Sequence, residues 1–136
     1  MDTKAQYAEL KQKLADLRTE MQTVAKKYFQ DNAKGLFATH SILERFAWTQ
    51  YTPYFNDGDP CEFSAHVDYP EVNDDEEFFY YSDSKKKPTD PFTVAGLAVV
   101  EFLKAFSGDD LEEMFGDHCK VTVTREGVEV EEYDHD

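Results

Sequence analysis

The chain has 136 residues, 40% of them hydrophobic and 15% aromatic, and its 29 acids against 14 lysines and arginines set a net charge of −15. That length suits one domain with its own core, and eleven Phe, eight Tyr and one Trp exclude a disordered acidic tail, which would be aromatic-poor. The sign of the charge excludes direct nucleic-acid binding, which needs a basic footprint, and attachment to anionic membranes; basic protein surfaces, cations or neutral surfaces are the expected partners.

Residues 3–31 predict one long helix. Apolar side chains fall at Tyr7, Leu10, Leu14, Leu17, Met21, Val24 and Tyr28, spaced alternately by three and four. This is a heptad stripe with a positions at 7, 14, 21 and 28 and d positions at 10, 17 and 24. Helix formers fill most other positions. So narrow a stripe suits packing on another helix. That helix belongs either to another chain, making these seven residues an oligomerisation seam, or to the same domain, at 92–106. Asn32 to Gly35 reads as a break, giving an expected division into an N-terminal coiled-coil or docking helix, 1–34, and an acidic α+β domain, 35–136.

Residues 43–51 predict a strand rich in aromatic residues. Pro53, the run Asn56-Asp57-Gly58-Asp59 and Pro60 punctuate a loop. Cys61 to Tyr69 alternates cleanly as a second strand of a hairpin, with Cys61, Phe63, Ala65, Val67 and Tyr69 on one face. After the acid run 74–77, Phe78 to Tyr81 reads as a third strand. Asp90 and Pro91 then form an N-cap and first turn for an apolar helix over 92–106, expected to be the most buried element. Gly108 ends it. Asp109 with Glu112 resembles a capping box opening a short helix, which Gly116 closes. Cys119 to Val130 predicts a hairpin turning at Glu126-Gly127, with Val123 opposite Val130. The expected class is therefore α+β, with an antiparallel sheet of about five strands.

The charge is uneven. Residues 1–55 hold eight bases and six acids, a net of +2, while residues 56–136 hold the other six bases and 23 acids, a net of −17. Such asymmetry points to an interaction surface and permits salt-sensitive self-association. No secretory apolar region opens the sequence, no apolar run is long enough to span a membrane, and two cysteines are no disulfide framework. A cytoplasmic location is expected.

Candidate sites are sparse. The loop 56–59 with Glu62 offers oxygen ligands, but the spacing is not that of an EF-hand and reads as an ordinary turn. His40, Cys61, His66, His118, Cys119 and His135 show no zinc-type pairing, and both cysteines read as small buried hydrophobes. No catalytic, cofactor or metal set is expected, so the chain reads as non-enzymatic. The aromatic residues 46–55 and 78–81 read as core on one face. The other face is a recognition surface or a ligand pocket near Trp48 and Tyr80. Asp74, Asp75, Glu76, Glu77, Asp57, Asp59, Glu129 and Glu131, with Tyr54, form the candidate partner-binding set. Carboxylates so spaced can imitate DNA phosphates and occupy a basic cleft; a plainly solvated face is the competing reading.

The stretches 46–63 (FAWTQYTPYFNDGDPCEF) and 114–133 (MFGDHCKVTVTREGVEVEEY) resemble segments of small uncharacterised acidic proteins of tailed bacteriophages and bacteria. The resemblance covers under a third of the chain and transfers no functional residues. It implies a phage accessory role in the host cytoplasm, where small acidic proteins bind and inhibit nucleic-acid-handling or defence proteins. The leading expectation is thus an acidic, homo-oligomeric interaction module. The alternatives are a nucleotide- or ligand-sequestering protein with an aromatic pocket, and a metal-assisted enzyme using the acidic loop.

Overall fold

A computed structural model describes residues 2–54, 58, 61–78 and 89–134. The first element, α1 (Thr3–Thr39), is capped by the Asp2 carboxylate, which accepts the Lys4 N–H at 3.1 Å. It spans roughly 55 Å at 1.5 Å per residue. The break expected at Asn32–Gly35 does not occur. Asn32 stays helical and donates its side-chain amide to the Tyr28 carbonyl, while Gly35 faces open space at a local cost of about 1 kcal/mol. Burial of Phe29, Ala33 and Phe37 outweighs that cost, so the helix runs on through residue 34.

The sheet is antiparallel throughout. β1 (Arg45–Tyr51) pairs from Arg45 to Gln50 with β4 (Cys119–Thr124), and β4 pairs with the edge strand β5 (Gly127–Glu132). The other edge of β1 is shared by two short strands, β2 (Ser64–Ala65) opposite its C-terminal end and β3 (Glu71–Val72) opposite its N-terminal end. The expected strand 61–69 shrinks to two residues because the Val67 N–H turns back onto the Ala65 carbonyl, taking the chain off the ladder. β3 is a strand that the sequence pattern did not predict. Phe78 lies outside any strand, and 79–81 lie outside the described residues. Asn73 fixes β3 in place: it takes φ +53, which Asn tolerates, and its side chain accepts the Glu44 N–H and donates to the Ile42 carbonyl.

The helices cover one face of the sheet. α2 (Pro91–Lys104) is capped by Asp90, with Pro91 in its first turn, as expected. It buries one face (Ala95, Gly96, Val99, Leu103), whereas β1 buries four of its seven residues; the centre of the core is therefore the sheet and not this helix. The Phe78 ring occupies the space a side chain at position 96 would need, so Gly96 is a packing requirement. α3 (Gly108–Phe115) is capped by Ser107, which accepts the Asp110 N–H. Gly108 thus begins this helix, and Asp109 and Asp110 sit in its first turn, where carboxylates suit the helix dipole. Gly116, at φ +98, ends it.

The final hairpin turns at Arg125-Glu126, one residue earlier than expected, and this pairs Val123 with Val128 and Val121 with Val130. The Arg125 guanidinium holds the turn by donating to the Ser41 and Leu43 carbonyls. Inside, Phe29 is ringed by Trp48, Phe102, Phe106 and Phe115 at centroid distances of 5.0–6.0 Å. Gln50, fully buried, accepts the Trp48 indole N–H and donates to the Leu111 and Gly116 carbonyls. It thereby locks β1 to the end of α3 with all its polar groups satisfied.

Candidate interaction surfaces

α1 carries two faces with different destinations. Phe29, Ala33 and Phe37, spaced by four, dock its C-terminal part on the sheet and α2. The heptad stripe stays largely outside that docking: its seven residues are each between 51 and 68% exposed. From Thr3 to Val24 every residue of the helix is exposed, so this stretch forms an arm that extends beyond the body. At its last residue, Tyr28, the stripe meets the body, against Phe106 at 5.6 Å.

Where the arm leaves the body, a notch of about 450 Å³ opens between it and α3. Leu17, Met21, Val24, Ala25 and Met114 supply its apolar walls, and Glu20, Asp110 and Glu113 bring carboxylates to it. Nothing in the local sequence of α3 announces this juxtaposition, which depends on how the arm crosses the helix.

The acidic candidates do not gather into one patch. Asp74, Asp75, Glu76 and Glu77 are exposed in the turn after β3. Glu129 and Glu131 are exposed on β5, the opposite edge of the sheet. Three strand spacings separate them, roughly 14 Å. From β3, Glu71 reaches across β1 and pairs with Arg45 at 2.8 Å and Lys120 at 3.0 Å. Burial acts to raise the Glu71 carboxyl, but the hydrogen bonds and charges of Lys120 and Arg45 outweigh it and hold it below the ordinary value. Asp57 and Asp59 lie outside the described residues.

Tyr54 is exposed at a corner beside β4. Its ring stacks on His118 at 4.8 Å and its hydroxyl donates to Asp134. Asp117 accepts the Thr52 N–H and hydroxyl and the His118 N–H; these overcome the upward push of burial and lower its carboxyl. Cys119 is buried as expected, and burial first, then the Asp117 charge, raises its thiol. Cys61 is exposed, contrary to expectation, because its segment has left the sheet before residue 64.

The ligand-pocket reading loses one wall. Trp48 is 2% exposed, packed under Phe29 and Phe115 with its N–H committed to Gln50; Tyr80 lies outside the described residues. Among the described residues no three His, Cys, Asp or Glu side chains group to hold a metal ion, and no single helix is long and apolar enough to cross a membrane. The class defined by fold and surface is a two-layer α+β domain extended by a helical arm. No protein-family model, curated protein or solved structure matches the chain.

Proposed function

We propose that the chain is a non-enzymatic interaction protein whose arm docks and whose acidic body engages a basic surface on a partner. The observation that carries this reading is the exposed heptad stripe on a helix that reaches its own body through other residues. A stripe serving the fold would be buried; this one is spaced for a helix and stays at least half exposed along its length.

The acids support the second half. The turn 74–77 presents four exposed carboxylates in succession, and β5 presents Glu129 and Glu131 on one face, roughly 7 Å apart. That is about the axial rise of two phosphates on one DNA strand. A basic nucleic-acid-handling or defence protein of a phage host, the partner class implied by the resemblance, would meet this surface in place of its nucleic acid.

The test is capture from host lysate by the tagged chain, with elution by salt and competition by duplex DNA. The comparison variant carries Asp74→Asn, Asp75→Asn, Glu76→Gln, Glu77→Gln, Glu129→Gln and Glu131→Gln. The expected outcome is a nucleic-acid-binding protein retained by the native chain, displaced by DNA and not retained by the variant. Equal retention by both chains would refute the acidic-surface reading.

A further inference from the structure

We infer that the occupant of the arm is the arm of a second copy, laid antiparallel, with each arm's tip seated in the partner's notch between α1 and α3. This rests on the docking-arm reading above and names its partner. From Tyr7 to Val24 the stripe extends for about 25 Å along the arm, and its alternation of three and four is the pattern that fills a two-helix seam. About a two-fold axis, Tyr7 falls opposite Val24, Leu10 opposite Met21 and Leu14 opposite Leu17, so every layer pairs an a position with a d position.

Charge chooses the direction. In a parallel pair, Lys13 meets Arg18 of the other arm, while Glu20 meets only Ala25, so the flanks repel without compensation. In the antiparallel pair, Lys13 meets Glu20 twice, which offsets the two contacts between Lys11 and Arg18. The antiparallel register also sets Lys4 of each tip beside Ala25 of the other copy, where Asp110 and Glu113 rim the notch. Lys4 of one chain thus lies beside acids of the other. Geometry agrees: Phe106 of the body already packs on Tyr28 at the last layer. A parallel pair would crowd two bodies at that end, and an antiparallel pair places them at opposite ends.

The experiment uses the full chain, first by sedimentation equilibrium across a wide concentration range. The expected mass is twice the 15.7 kDa of one chain, falling to a monomer on dilution. Leu14→Asp with Leu17→Asp should raise the dimer Kd by about a hundredfold or more, since each buried leucine is worth about tenfold or more, with an unchanged circular dichroism signal from the body. Lys13→Glu should weaken the dimer, and adding Glu20→Lys should restore it. In a Cys61→Ser background, a Leu10→Cys chain should cross-link with a Met21→Cys chain and not with itself, because its own two copies lie about 16 Å apart along the seam. A wild-type monomer at every concentration would overturn the proposal, as would a dimer indifferent to the leucine substitutions. Leu10→Cys cross-linking to itself would overturn the antiparallel register. Since none of these variants alters the acids at 74–77 or on β5, failure here is distinguishable from failure of the acidic-surface reading.

Discussion

Phe29 follows the last stripe residue, Tyr28, and its side chain points about 100° away around the helix. That single step separates the face that builds the fold from the face left for a partner. Phe29 is 1% exposed and packs against four aromatic rings. Phe29→Ala should therefore cost about 3–5 kcal/mol, a large share of a domain's usual margin, read as a lower urea midpoint. Leu14→Ala on the exposed stripe should leave the stability of the monomer nearly unchanged. Glu71 supports a different prediction. Its folded pKa lies below the ordinary value because Lys120 and Arg45 overcome burial. Its contribution is complete above the unfolded carboxylate pKa and is lost as pH falls through the folded one. Glu71→Gln should destabilise the chain by roughly 1 kcal/mol at neutral pH, and the gap between variant and native stability should close in acid. Periodicity exposed the stripe, but the spacing of four that joins Phe29 to Ala33 and Phe37 is short and runs across the expected break at Asn32–Gly35, so it did not stand out beside the longer stripe.

At the scale of elements, the long helix was legible from its period, the apolar helix from its Asp90-Pro91 start and the closing hairpin from its alternation, although the long helix runs on to Thr39 and the hairpin turns one residue early. β3 was not: two residues carry no period, and their pairing depends on Asn73, whose side chain reaches back to residues 42 and 44. The segment 61–69 shows the opposite failure, since its alternation is real but the chain turns away after Ala65. The same limit applies to the candidate site. The arm's stripe could be read from spacing alone, whereas the notch formed with α3 depends on a crossing that no local pattern encodes. β5 adds a further physical role for its acids. It ends the sheet, with Val130 49% exposed, and edge strands of this kind recruit other strands unless charge prevents it. Glu129→Thr with Glu131→Thr, residues that suit a strand but carry no charge, should keep the fold and raise the rate of aggregation, measured by light scattering during mild heating. If scattering stays at the native level, the carboxylates on β5 are not edge guards and their place in a partner surface gains weight.

For the whole molecule, arm and body differ in the force that would drive their contacts. The arm offers apolar area near charge balance, while residues 56–136 carry a net charge of −17. Salt should separate them. Self-repulsion within so acidic a body loosens its folded state, and screening relieves it, so the melting temperature should rise between low and moderate salt. Binding of a basic partner through the same carboxylates should weaken over the same range, because the attraction that forms it is the one being screened. The seam between two arms, held mostly by burial of the stripe, should lose little. Three measurements on one salt series, by thermal melting, partner capture and sedimentation, should therefore change in three different ways. If self-association fell with salt as steeply as partner capture, the contact between copies would be electrostatic, the basic N-terminal part of one chain against the acidic body of another, and the stripe would not be its seam.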